Sequence, residues 1–272
     1  MKMSELMEDA EQNLIGMVVN GVTITKVTPS IDWEGDFSCS DRNLTSLEGV
    51  PKSVSGDFYC ASNLLRTLDG GPLTVGGSYI CSENVLTTLE GAPTTLMGNF
   101  YCDYNKLTSL QGAPEKVGGG FSCADSNLTS LEGAPSSIGA GFSCRRNRIA
   151  SLKGAPSFVG GGFSCSHNKL TSLEGVPISL RAGALWCSDN ELTSLEGIHR
   201  MVKKINGAFD ASNNPITSHV LGLLLVGGVK KVMIDETHVM EILNRHLKRG
   251  RSGLIDCQNE LLDAGFEEYA KL

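Results

Sequence analysis

The sequence predicts a β-rich solenoid, and three observations carry that prediction. Eight of the nine cysteines form one series: Cys39, Cys60, Cys81, Cys102, Cys123, Cys144, Cys165 and Cys187, spaced by 21 residues six times and then by 22. Each sits at the same point of a phrase, G-x-F-x-C-x-x-N-x-L-T-S-L-E-G-A-P-x-x-V-G, which recurs about nine times over residues 35–218. Within the phrase F-x-C alternates like a short strand, whereas G-A-P cannot continue a helix, because proline lacks an N–H and restricts the residue before it.

The elements follow in chain order. Residues 1–34 are expected to cap the first coil, with Asn20-Gly21 in "MVVNGVTITKV" signalling a hairpin. In residues 35–218 the aromatic two before cysteine (Phe37, Phe58, Tyr79, Phe100, Phe121, Phe142, Phe163, then Leu185 and Phe209) points inward with the thiol. Three after cysteine stand Asn63, Asn84, Asn105, Asn147, Asn168, Asn190 and Asn214, broken by Arg42 and Ser126. These amides are expected to satisfy turn backbone in their own coil and the next. Leucine pairs such as Leu65/Leu68 complete the core, and the return path is expected to be extended. Nine strands would make a parallel sheet roughly 40 Å long. Residues 219–272 are expected to form a small α+β cap: a short helix at "VLGLLLV", a strand at "VKKVMI", a helix from about Glu236, and a final amphipathic helix or pair covering the last coil with Leu261, Leu262, Phe266 and Tyr269.

The pattern F-x-C-x-x-N-x-L resembles the leucine-rich repeat, L-x-x-L-x-L-x-x-N-x-L, with Phe and Cys in place of two strand leucines and G-A-P in place of the convex helix. The resemblance covers residues 35–218 and implies a right-handed coil with a parallel sheet. The Phe-x-Cys form and the ending "GLIDCQNELLDAGFEEYAKL" are also similar to uncharacterised repeat proteins encoded by large tailed phages. That second resemblance implies a phage or bacterial setting, with the host cytoplasm as compartment, and supplies no activity.

Composition narrows the function classes. A net charge of -7 gives no electrostatic footprint for nucleic acid or an anionic membrane. The start, "MKMSELMEDAEQ", has no apolar signal core, and "HVLGLLLVGGV" is too short to span a bilayer, so a cytoplasmic protein is expected. Cysteines one coil apart would have Cβ atoms roughly 4.8 Å apart, wider than the ~3.8 Å a disulfide prefers, so a reduced, buried thiol ladder is expected. No C-x-x-C pair or histidine spacing supplies a metal site.

Chemistry-bearing residues have simpler readings. Cys257, in "LIDCQNE", could be a nucleophile, but a cysteine within an amphipathic helix is more often core. No serine sits in a G-x-S-x-G elbow, and the paired glycines recur with the repeat as turn residues. The basic run Asn244–Arg251 could hold a phosphate, while cations at a helix C-terminus are ordinary dipole complements. Glu48, Asp69, Glu90, Gln111, Glu132, Lys153, Glu174 and Glu196 form a solvent-facing, mostly acidic column. No catalytic site and no cofactor is expected.

The outward strand positions vary instead of repeating. Coils two to four carry Tyr59, Ile80, Tyr101 and Tyr104, flanked by Glu83 and Asp103. Coils six to eight carry Arg145, Arg146, His167 and Trp186. Exposed Tyr, Trp and Arg are the residue types that dominate protein-binding hot spots. The expectation is a non-catalytic, monomeric interaction module holding a protein partner on its sheet face, such as a host or defence factor. The alternative is a structural or self-associating component of a virion or assembly.

Overall fold

The computed structural model describes residues 18–19, 22–23 and 32–272. Val18–Val19 pairs antiparallel with Val22–Thr23, as the hairpin signal predicts; the turn itself and most of the expected 1–34 cap lie outside the described residues.

From Phe37 onward the alternating F-x-C segments stack into one ten-stranded parallel sheet whose spatial order follows chain order. Its strands are Phe37–Ser38, Phe58–Tyr59, Tyr79–Ile80, Phe100–Tyr101, Phe121–Ser122, Phe142–Ser143, Phe163–Ser164, Leu185–Trp186, Ala208–Asp210 and Lys231–Met233. The last comes from "VKKVMI", so the sheet runs one strand beyond the repeats. The ladder extends past each short strand: the amides of Phe58, Cys60 and Ser62 donate to the carbonyls of Ser78, Ile80 and Ser82 at 2.8, 2.9 and 3.0 Å. Across the coil, the two residues ending in the repeat's valine (Ser53–Val54, Lys116–Val117, Phe158–Val159 and their equivalents) build a second parallel sheet. It is split into three- and six-strand parts between Thr74–Val75 and Thr95–Leu96. The return path is extended, as G-A-P requires.

The core lies between the sheets. Ring centroids from Phe37 through Phe58, Tyr79, Phe100, Phe121, Phe142 and Phe163 are 4.9–5.9 Å apart, a continuous aromatic stack. Beside it the eight ladder cysteines are free and buried. The ladder thiols also donate across coils: Cys81 Sγ–H to the Tyr101 carbonyl at 3.4 Å, Cys102 to Ser122 at 3.2 Å, and Cys123 to Ser143 at 3.4 Å. Cysteine therefore suits this position as a small apolar filler with a weak donor aimed along the stack. Burial pushes Cys39 and Cys165 up to about 12 and raises the other ladder thiols well above their ordinary value.

The asparagines bridge to the preceding coil rather than the next. Asn63 Nδ2 donates to the carbonyls of Cys60 in its own coil (3.1 Å) and Cys39 in the coil before (2.9 Å), while its Oδ1 accepts the Leu44 amide at 2.9 Å. The same set recurs at Asn84, Asn168, Asn190 and Asn214. Each buried amide thereby pairs backbone groups that neither sheet reaches. At Ser126 only a 3.4 Å bond from the Asn105 amide to the hydroxyl stands in this place.

The eighth coil lacks proline, and its longer return path forms a short helix, α1 (Ile198–Met201). A 3-10 turn (Leu221–Leu225) precedes the last strand. Helix α2 (Thr237–His246), a second 3-10 segment (Leu247–Gly253) and helix α3 (Leu254–Asp263) follow it. Leu261 is buried and Phe266 and Tyr269 pack on the core, but Leu262 is exposed, because it is turned about 100° round α3 from the buried face of Cys257 and Leu261. The Tyr269 hydroxyl ties this turn to the Ile216 carbonyl at 3.0 Å. Cys257 is buried in α3 as core. Among the described residues, no helix is long and apolar enough to cross a membrane.

Candidate interaction surface on the ten-stranded sheet

Strand pairing decides which side chains meet on the outer face. Tyr59, Ile80, Tyr101 and Ser122 occupy successive register positions, followed by Ser143, Ser164, Trp186 and Asp210. The face therefore holds an aromatic–aliphatic run, then three serines, then Trp186. Tyr101 and Trp186 lie four strand spacings apart, roughly 19 Å. The two predicted clusters are separate patches.

In the first patch Tyr59 and Ile80 are half-buried, and Tyr101 is 37% and Tyr104 52% exposed. The Tyr59 hydroxyl donates to Asp57 Oδ2 at 2.9 Å, and that bond raises the phenol's pKa. The ring is thus held in place. Asp103 is not a free rim charge. Its Oδ1 accepts the Ser122 hydroxyl and, at 2.8 Å, the Ala124 amide, so it stitches one coil to the next. Burial raises its carboxyl above the usual range, against these two hydrogen bonds.

The residues two after cysteine are not strand positions. Asp41, Ser62, Glu83, Tyr104, Asp125, Arg146, His167, Asp189 and Asn213 all have φ between +52° and +58°. Alternation could not reveal this, because the strand ends three residues earlier, at the residue before cysteine. The left-handed turn keeps the amide in the ladder: Glu83 donates to the Asp103 carbonyl at 2.9 Å and Tyr104 to the Ala124 carbonyl at 3.0 Å. It also aligns side chains from successive coils. Ser62 Oγ–H donates to Glu83 at 3.2 Å, Arg146 meets Asp125 at 3.6 Å, and Asp189 lies 3.5 Å from His167 while accepting from Asn213 at 3.0 Å. Of these, Ser62, Asp125, Asp189 and Asn213 went unnoticed as site residues, although the opposite charges of Asp125 and Arg146 one repeat apart were a readable signal. Arg145 is exposed beside this column, and the ring of Trp186, 40% exposed, lies across Gly162.

Chemically the surface offers aromatic and aliphatic contact, a few ion pairs and hydroxyls. Among the described residues no group of three or more His, Cys, Asp or Glu could hold a metal ion.

Comparison with solved structures bears on the fold. YopM from Yersinia enterocolitica WA-314 superposes with a TM-score of 0.56 at 25% identity, over 76% of this chain and 44% of that one. The functional domain of InlJ from Listeria monocytogenes, described as including a cysteine ladder, superposes with a TM-score of 0.52 at 21% identity, over 74% and 43%. The chain thus spans less than half the length of either. No protein-family model matches the sequence, and a search of curated proteins returns no match. The structural neighbours are leucine-rich repeat proteins, and the architecture of this chain is a leucine-rich-repeat β-solenoid.

Proposed function

We propose that this chain is a non-catalytic interaction module that holds a protein partner on the outer face of its ten-stranded sheet, centred on Tyr59, Ile80, Tyr101 and Tyr104. Tyr104 is the observation that carries this reading. It is an aromatic residue more than half exposed at φ +55°, where neither packing nor backbone preference favours tyrosine. Its column neighbours one coil away are Glu83 and Asp125, and on the adjoining strands the sheet pre-positions the run Tyr59, Ile80 and Tyr101, so little ordering entropy opposes contact there. The leucine-rich-repeat neighbours support an interaction role in general terms. The phage-like form of the repeat makes a host factor, or a virion component, the partner we favour. Arg145, Arg146, His167 and Trp186 form a second contact region beyond the serine tract, with Glu83 at the edge of the first.

Calorimetric titration of single variants against the partner tests the placement. Tyr101→Ala is expected to cost at least ~2 kcal/mol of affinity. Thr108→Ala and Glu132→Ala, exposed off this face, are expected to cost under ~0.5 kcal/mol. The reverse ranking would move the site elsewhere.

A further inference from the structure

A second surface feature lies at the C-terminal end of the solenoid, away from the tyrosines. A cavity of about 550 Å³ opens between the end of the return path and the 3-10 segment Leu247–Gly253. Its floor is apolar, from residues such as Leu224, Val226 and Leu247, and its rim carries Lys203, Lys248, Arg249 and Arg251 with no acidic residue in the lining. Arg249 is paired with Asp256. Lys203 Nζ donates to the His199 carbonyl at 3.1 Å and meets no carboxylate. Lys248 and Arg251 have no ion-pair partner among the described residues. The chain reverses at Gly250, whose φ of +53° is open to glycine, and this places Lys248, Arg249 and Arg251 around one opening.

Such a cluster is unexpected in a chain with net charge -7. Cations at the end of a helix complement its dipole, but Lys203 comes from a different part of the chain, after α1, and converges on the same cavity. The dipole explanation does not account for that convergence. Burial first, then Arg200 and Lys203, hold the His199 imidazole below its ordinary value, consistent with positive potential at this wall.

We infer that this cavity is a binding site for a phosphate monoester or pyrophosphate group carried on a small organic body. The cations of Lys203, Lys248 and Arg251 would take the charged group, and the apolar floor would take the body. Guanidinium and ammonium donors together suit tetrahedral oxyanions, and no covalent step is implied.

The test is calorimetry of the full chain with sodium pyrophosphate, paired with cosedimentation on phosphatidylcholine vesicles with and without phosphatidylinositol 4-phosphate. Saturable one-to-one pyrophosphate binding is expected, weakened at least about tenfold by Lys248→Ala/Arg251→Ala. Lys106→Ala/Lys169→Ala, which removes equal charge from exposed positions outside the cavity lining, should change it less than about twofold. Thermal unfolding checks that each variant is folded, and Lys203→Ala gives an independent probe from the other side of the cavity. Phosphoinositide-dependent cosedimentation lost in the Lys248/Arg251 variant would name a lipid headgroup as the source, and its absence a soluble phosphate. No saturable pyrophosphate binding up to about 10 mM, or equal weakening by both double variants, overturns the site.

Discussion

The side-chain amide of Asn244 pairs with both backbone groups of Val232: Oδ1 accepts the Val232 amide at 2.8 Å and Nδ2 donates to the Val232 carbonyl at 2.9 Å. Val232 lies in Lys231–Met233, the last strand of the sheet. An asparagine from α2 thus stands where an eleventh strand would continue the ladder. Unpaired edges template association, so this one side chain ends the stack. Asn244→Leu is expected to destabilise by about 1–3 kcal/mol in urea unfolding and to promote self-association measurable by light scattering. A stable, monomeric variant would mean that the helix packing alone closes the edge.

The buried thiols make an alkaline prediction. Each ladder thiol is neutral in the folded chain with its pKa raised, whereas an unfolded cysteine titrates near ~8.5. The stability this contributes is complete below about pH 8.5, where both states hold the proton. It is lost as pH rises toward about 12, because only the unfolded chain ionises. Eight such thiols give a slope approaching ~11 kcal/mol per pH unit, enough to unfold a domain of ordinary stability near pH 10. Urea titrations across pH 7–10 measure it. Native protein at neutral pH should also resist alkylation at Cys39 through Cys187 and label fully once denatured.

Tyr79 interrupts the phenylalanine stack, and one repeat position compensates for it. Its hydroxyl is buried with no oxygen or nitrogen partner, only the Cys60 thiol beside it, and a Cβ built on Gly71 would lie 2.9 Å from it. Equivalent coils carry Ala92, Ala113, Ala134 and Ala155 there, facing phenylalanines. Gly71→Ala is expected to cost about 1–3 kcal/mol, and Tyr79→Phe to be neutral or stabilising. The double variant should recover most of the loss in a denaturation cycle. Additive costs would show that the glycine serves the turn, not the tyrosine.

Tyr104→Gly separates backbone cost from function. Glycine relieves the left-handed turn but frees the unfolded chain, so stability should stay level or rise by up to about 1 kcal/mol. A loss above ~2 kcal/mol would show that the exposed ring packs more than its surface suggests.

Much of this fold was legible because a solenoid turns sequence period into spatial adjacency. Residues 21 apart in the phrase, such as Phe100 and Phe121, become register partners, so the inward columns and the outward tyrosine run could be read directly. The direction of the Asn63 bridge could not, since an amide reaches either neighbouring coil equally well. The left-handed column escaped for another reason. Alternation tells inside from outside but not where a two-residue strand ends, so Tyr104 and Arg146 looked like strand residues. Asp103 looked like a rim charge because the Ser122 hydroxyl and Ala124 amide it satisfies belong to the following coil. The helix α1 was missed where the repeat loses its proline.

The most direct test of the sheet-face account is a quantitative capture from bacterial lysate, read by mass spectrometry, with three folded baits in parallel. These are the parent chain, the Tyr59/Tyr101/Tyr104 triple alanine variant and the Thr108/Glu132 double alanine variant. The account predicts a protein enriched on the parent and on the Thr108/Glu132 variant but reduced at least about tenfold on the tyrosine variant. Equal enrichment on all three baits would contradict it and move the interaction to the Arg145–Trp186 region, the acidic column or the ends of the solenoid.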